Sequence, residues 1–595
     1  MPGIYGYVKK TSSGQSELIN MTKAMHLYDH FVLDTAFEDI WISGSRVHLG
    51  HIGEKDSPYV RNEVYIWIEG EAYNHLEVAR DLGLKESGFA QTLAEAYTVG
   101  KLDCYLNKLD GYFCAAIYDS TRKKVHLITD RYGMRLLYWY CQEGLFAWSS
   151  EVKGILALKD VNKELDQSSY PCFMNLGYLM GEHTWFEHIR LIKPAIVLEY
   201  DIESKKIAQH HYWKWSEIKP STMGFDEAIY ELGQRFLAAV EKRFNPNEKI
   251  GVSLSGGLDS RAIFAAVNHL YPGYKGYAYT FGIPGCDDIK IAEQVVAKSK
   301  WRHVKFYFDS ANWFEPRIEK IWDTDGMLDM MHMHGSEFLG EISENIEINL
   351  NGYCGDAILG GGFLSKIPHN VRINAKNSRS FYRHFFSMAD IENEFYDIDH
   401  VEPNIYVNRV RRFTNIGTVN LLTSISQRKP FFDNNIVAFV FSLPDEYRVN
   451  NKIYSAMLQR FFSQFFKSIP WQKTGEPAGV INNSSITYRA LNKGEQAIIR
   501  LLSLKTSKDY TEYPEWIRNP EVSQALADIL TPKNAEYVRL TGENLKNKYL
   551  QTHLSWPYIN KSNEILRAAT IELYLSQVFR KHNKKVPSKK KEAPS

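Results

Sequence analysis

The chain is poor in cysteine: six thiols in 595 residues, at Cys104, Cys114, Cys141, Cys172, Cys286 and Cys354, with no C-x-x-C pair. That excludes a disulfide scaffold and closely spaced zinc motifs, and it predicts reduced thiols in a cytoplasm. No apolar run reaches about 18 residues, so no membrane-spanning helix is predicted. The opening MPGIYGYVKKTSSGQ lacks the apolar stretch of a secretory signal. Charge bias is missing too. Lys plus Arg is 71, Asp plus Glu is 70, and the net charge is +1. Neither nucleic acid nor an anionic membrane is therefore expected as the main partner. No repeat of solenoid period is present.

Aromatic residues are abundant: 36 Tyr, 31 Phe and 13 Trp, with 44 % of the chain apolar and 24 % charged. This is the composition of a soluble globular protein with several cores, and the length suggests two to four domains. Residues 1–210 read as β-rich. GIYGYV, SRVHLGHI, EVYIWIEGEAYN, GYFCAAIYD and KKVHLITD are short runs punctuated by Gly, Asp and Asn. LEVARDLGL and GFAQTLAEAYTVGK have helical spacing between them, so strands with helices on their faces are expected.

From about 220 the pattern alternates. Phe225, Ile229, Leu232, Phe236 and Val240 mark an amphipathic helix. KIGVSLS, GYAYTFG, RHVKFYF and IEINLN read as strands, separated by the helices DSRAIFAAVNHLY and IKIAEQVVAKSK. Such alternation predicts parallel strands with right-handed crossovers. Residues 220–580 form the second expected unit, mostly helical towards its end. Residues 581–595 carry six lysines and read as a basic flexible tail.

The segment SLSGGLDSR (253–261) follows a strand and opens a helix. Its small residues let backbone N–H groups converge on an anion at a helix N-terminus. Asp259 would repel phosphate unless a cation intervened, so it is a candidate Mg²⁺ ligand. There is no G-x-x-x-x-G-K-[ST] lysine. SGGLDS resembles the pyrophosphate loop of ATP pyrophosphatases, which cleave ATP between the α and β phosphates. Over residues 1 to about 480 the chain resembles the asparagine-synthetase family, through GEAYNH (70–75), DGYFCAAIYD, DRYGMRLLYW, FAWSSEVKGIL and KPFFDNNIVAFVFSLPDEYRV. The resemblance implies an α/β protein. Its parts would be an Ntn-hydrolase-like αββα sandwich and a pyrophosphate-loop parallel-sheet domain with helical C-terminal additions.

It also implies an ATP site built from Leu254, Ser255, Gly256, Gly257, Asp259, Ser260, Thr280, Gly282 and Gly352. Asp259 and Asp356 would hold Mg²⁺. Asp356 comes from NGYCGDAILGG (351–361), the counterpart of a second family loop. Gly352 and Gly355 would allow close backbone approach to the nucleotide. Tyr353 stands where asparagine synthetases carry Glu and β-lactam-forming relatives carry a catalytic Tyr. A phenol needs help to act as base, with Glu392 or Glu394 as the candidate helper. Lys452, in RVNNKIYSAMLQR, matches a family lysine that would bridge pyrophosphate and the developing oxyanion. Asp287 or Asp288 is a further candidate for contact with substrate or Mg²⁺. His332 and His334 have no third ligand nearby, so a metal role is disfavoured.

One departure redirects the function. Family glutaminases begin Met-Cys-Gly, whereas this chain begins Met1-Pro2-Gly3, and HLGHIGE (48–54) replaces the arginine segment that grips glutamine. No thiol stands where the nucleophile should be. Cys104 and Cys114 are expected to be core thiols. The resemblance then implies a ligase without glutaminase chemistry. IPWQKTGEPAG (469–479) and TFGIPGCDD (280–288) are similar to segments of lasso-peptide macrolactam synthetases. Those enzymes close a precursor peptide's amine onto an Asp or Glu side chain, beside a leader-recognition protein and a leader protease. An ammonia-dependent asparagine synthetase, a β-lactam-type cyclase and a silent ATP-binding scaffold are the alternatives.

Overall fold

The computed structural model describes residues 2–9, 17–53, 57–85, 88–364, 388, 394–479 and 509–580. Residues 1–211 hold two antiparallel sheets. One runs 189–191, 138–142, 145–149, 3–8, 42–48, 32–33, with 37–38 also on 42–48. The other runs 207–211, 196–201, 124–129, 111–119, 64–72, 59–61.

The two sheets face each other across a buried layer of Ile4, Trp67, Ala116, Leu127, Phe146, Trp148 and Leu198. Strand side chains alternate, so the opposite faces also need cover. Helices Leu18–Met25 and Val152–Leu156 cover one sheet. Helices His75–Asp81, Phe89–Thr98 and Leu102–Lys108 cover the other. The result is the expected αββα sandwich. Cys114 is buried in it, but Cys104 is exposed, which corrects the expectation of two core thiols. The helix Leu102–Lys108 buries Tyr105 and Leu106 and turns Cys104 to solvent.

The second unit centres on a five-stranded parallel sheet ordered 302–307, 277–282, 250–253, 348–350, 426–428. The chain enters at the middle strand, builds outwards to one edge, then returns to build the other. The order reverses between Ile250–Ser253 and Ile348–Leu350, and ligands of open α/β sheets bind at the carboxyl end of that reversal. The last strand, Ser426–Arg428, was not expected from the sequence.

Buried ion pairs fasten the two units. Arg243, at the end of helix Phe225–Arg243, donates to Asp110 at 2.8 and 3.0 Å and to Asp433 at 2.7 Å. Arg428 bridges Glu71 and Glu248. Arg411 donates to the carbonyls of Gly133 and Ile192, both at 2.6 Å. Helices Pro520–Ile529 and Ser562–Arg580 complete the C-terminal additions. No helix among the described residues is long and apolar enough to cross a membrane. The basic tail lies outside the described residues.

Candidate active site

Strand Ile250–Ser253 stops and helix Leu258–Leu270 starts within four residues. Neither Gly256 nor Gly257 takes a positive φ. Gly256 is needed for space: a Cβ there would lie 3.0 Å from Cβ of Gln472 and 3.1 Å from Cδ1 of Ile291. Hydroxyls shape the turn. The Ser255 N–H donates to Oγ of Ser260 at 3.0 Å, and the Gly257 N–H to Oγ of Ser255 at 3.2 Å. The Gly256 N–H donates to Oδ1 of Asp288 at 2.8 Å.

Ser253, Ser255, Gly257, Leu258, Asp259, Ser260, Asn351, Gly352, Asp356, Trp471, Gln472 and Lys473 line a cavity of about 430 Å³ at this turn. The two expected loops therefore meet there. Gly352 and Gly355 do allow a close approach, but to protein: a Cβ on Gly352 would lie 2.6 Å from the backbone N of Ser260, and one on Gly355 2.6 Å from the Asp259 carboxyl.

Asp259 accepts from the Tyr454 hydroxyl and from the Asp356 N–H, both at 3.0 Å. Burial first, and then the neighbouring Asp356 carboxylate, push the Asp259 carboxyl up to about 7. Two carboxylates on separate loops, opening on one cavity and repelling each other, suit a hard divalent cation. Residues Asp259 and Asp356 would hold it, and Mg²⁺ there would neutralise phosphate charge.

Four residues of the expected ATP set stand behind the cavity wall. Leu254 is buried, and its carbonyl accepts from the Thr280 hydroxyl at 2.8 Å, which also meets His303 at 2.9 Å. Gly256 gives its N–H to Asp288, and Gly282 packs against Cys286. Asp288 does not line the cavity. It accepts from Gly256 and from the Gln472 amide at 2.6 Å, clipping the pyrophosphate loop to the 471–473 segment.

Arg261 reinforces that clip from inside the protein. Its guanidinium donates to the carbonyls of Gly256, Ile469 and Pro470 at 2.8–3.1 Å. Sequence reasoning missed Arg261 as a positioning group, and it missed what Arg261 positions. Lys473 lines the 430 Å³ cavity and also a second one of about 680 Å³. Cys354, Asp356, Gly360, Phe363, Arg409, Thr414, Asn450, Asn451 and Trp471 are among the other residues of the second wall. The cavities share Asp356, Trp471 and Lys473. Lys473 sits in IPWQKTGEPAG, a segment recognisable in the sequence although its lysine went unremarked.

Two expected catalytic residues stand off both cavity walls. Lys452 lines neither cavity. It is exposed at the start of helix Lys452–Phe461, with its ammonium 4.5 Å from the centre of the Phe225 ring. Tyr353 is buried under the loop, and its hydroxyl donates to the Val410 carbonyl at 2.8 Å. Burial raises its pKa well above the ordinary value, the wrong direction for a base at neutral pH. Glu392 lies outside the described residues, and of Glu394 only the backbone of the turn Glu394–Tyr396 is described. His332 pairs with Asp329, and His334 meets the Tyr510 and Tyr513 hydroxyls.

Pro2 is buried, and Gly3 presses on Ser150 so closely that a Cβ would overlap it.

A family model for a glutamine amidotransferase domain matches residues 1–213, and one for asparagine synthase matches residues 231–398. The chain belongs to the asparagine synthetase family. It is 25 % identical over 361 residues to putative asparagine synthetase 2, glutamine-hydrolyzing, of Methanocaldococcus jannaschii, covering 58 % of this chain and 69 % of that protein. It is 24 % identical over 471 residues to asparagine synthetase 3 of Bacillus subtilis, covering 69 % and 76 %. The Homo sapiens asparagine synthetase is 22 % identical over 422 residues, covering 68 % and 69 %. Membership of the asparagine synthetase family makes the chain an ATP-dependent carbon–nitrogen ligase.

Proposed function

We propose that this ligase adenylates an Asp or Glu side chain of a peptide and closes it onto an amine of the same peptide, a macrolactam cyclisation of the lasso type. The reading is carried by the pair of cavities that share Asp356 and Lys473. We assign ATP to the smaller one, beside the pyrophosphate loop. The larger takes the carboxylate substrate. At about 680 Å³ it falls within the range of roughly 300–1,000 Å³ that buries a drug-sized molecule, far more than one free amino acid fills.

The chemistry follows from that placement. A carboxylate oxygen of the substrate attacks the α-phosphorus and pyrophosphate leaves. The amine then attacks the acyl carbon, AMP leaves and the amine proton is released to solvent. Lys473, between the cavities, is the cation placed to stabilise pyrophosphate and then the tetrahedral oxyanion. Pro2 offers no thiol for glutamine hydrolysis, which favours an amine carried by the substrate itself. The natural partners under this reading are a precursor peptide, a leader-recognition protein and a leader protease in the cytoplasm.

The test incubates the full chain with ATP, Mg²⁺ and a leaderless precursor peptide. The expected products are AMP, pyrophosphate and a peptide lighter by one water, with no glutamate released from added glutamine. Asparagine formed from aspartate and ammonia, with the peptide untouched, would replace cyclisation by asparagine synthesis. ADP as the main nucleotide product would remove the adenylation step.

A further inference from the structure

Asn450 and Asn451 both hold left-handed backbone, at φ 58°, ψ 32° and φ 61°, ψ 25°. Asn tolerates that region better than most residues, but two in succession are uncommon, and such strain persists where the surroundings enforce it. Both residues line the larger cavity.

Asn451 is also the residue before helix Lys452–Phe461. An asparagine there normally folds its side chain back to accept an N–H of the first turn. Asn451 makes no such bond. Its Oδ1 is buried and has no hydrogen-bond partner among the described residues. The carboxamide lies against Gly360, where a Cβ would overlap it. The 360–362 glycines thus leave room for an amide diverted from its usual structural use. An unpaired buried amide oxygen destabilises the fold, and a ligand N–H would relieve it.

The rest of the wall indicates the ligand. Arg409 stands on a π-helical segment, Tyr406–Thr414, a geometry frequent at functional sites. Arg409 and Lys473 have no carboxylate within 4.0 Å among the described residues. Asp356, on the same wall, would face the metal, which leaves the two cations for an anionic substrate, and Asn451 adds an acceptor for an N–H beside the anion.

We propose that Asn451 is a specificity-determining residue whose carboxamide accepts a backbone N–H of the peptide that carries the reacting carboxylate. This rests on the ligase reading above. A neutral peptide N–H meets this acceptor without adding charge, whereas a free amino acid would bring its ammonium to a wall that already carries Arg409 and Lys473.

The experiment measures ATP–pyrophosphate exchange, which needs the carboxylate substrate but no completed cyclisation. The probes are linear peptides with a free amino terminus and a single Asp or Glu, compared with free L-aspartate. Asn451→Gly keeps the left-handed backbone without strain and removes the carboxamide. It should melt no lower than the parent, raise the peptide KM about tenfold or more, and leave the ATP KM unchanged. Asn451→Asp also tolerates this backbone but sets a negative charge against an anionic substrate, so its peptide KM should rise at least as far. A parental peptide KM in Asn451→Gly overturns the proposal. So does normal exchange with amide formation alone lost, because the carboxamide would then hold the amine. If the parent exchanges with aspartate but no peptide, the peptide selectivity fails while the ligase stands. No exchange with any carboxylate ends both.

Discussion

The Asp356 N–H donates to Oδ2 of Asp259 across 3.0 Å, so one acidic loop is pinned to the carboxylate of the other. The two aspartates are therefore unequal. Asp259 anchors a backbone and Tyr454 in addition to facing the cavity, whereas among the described residues no side-chain hydrogen bond of Asp356 accompanies its place on the cavity wall. Asp259→Ala should abolish adenylation and also lower the unfolding midpoint, at a cost of about 1–3 kcal/mol for the orphaned partners. Asp356→Ala should abolish adenylation with no loss of stability, because it also removes the carboxylate that repels Asp259. Pyrophosphate exchange and urea melts of both variants check this. Full activity in either variant would dissociate the paired loops from the chemistry.

The two lysines make opposite predictions. Lys473→Ala should slow amide formation by about 10²–10³-fold, the range for losing one oxyanion contact. Lys452→Ala should remain within about twofold, because it sheds only an exposed ammonium resting on Phe225. Steady-state rates of both variants decide the matter. The reverse ranking would return the catalytic role to Lys452.

Tyr353→Phe separates support from base catalysis. A supporting hydroxyl that donates to Val410 is worth roughly 0.5–1.5 kcal/mol of stability. Removing it should lower the melting midpoint slightly and leave the rate within a few-fold. A general base contributes about 10²–10⁴-fold, so a loss of that size at unchanged stability would restore Tyr353 to the chemistry.

The pyrophosphate loop was legible because its serines, glycines and Asp259 are contiguous and sit between a strand and a helix of clear periodicity. The alternation of apolar strands and helices likewise specified the parallel sheet, but not the order of its strands. Strand Ser426–Arg428 was not legible, since Ser, Gln and Arg carry no β-branched or aromatic signal. Lys473 was hidden for a different reason. It has no periodic context, and what places it is main-chain carbonyls of 469–470 held by Arg261 and the Asp288–Gln472 bond. At Lys452 the sequence matched a helix start, but only the packing shows which way that helix faces. At Tyr353 the position was readable and the partner was not, because Val410 belongs to a π-helical turn with no sequence mark.

Lys429 supplies the final prediction. Its ammonium is buried beneath the active-site loop, 4.8 Å from the centre of the Tyr353 ring, with the Asn415 side-chain oxygen at 2.5 Å. Among the described residues it has no carboxylate within 4.0 Å. Burial, and then Arg135, push its pKa down to about 7 from 10.5. The unfolded chain therefore binds more protons than the folded one between about pH 7 and 10.5. Stability must rise with pH across that window, and the burial penalty is complete below pH 7. Lys429→Met keeps most of the volume and removes the titration. The variant should gain stability relative to the parent at pH 6.5, and the gain should shrink steadily as pH approaches 10. Urea midpoints at several pH values between 6 and 10 check the trend. A difference independent of pH would show that Lys429 keeps the same protonation in both states, and that a pairing of its charge offsets the cost of burial.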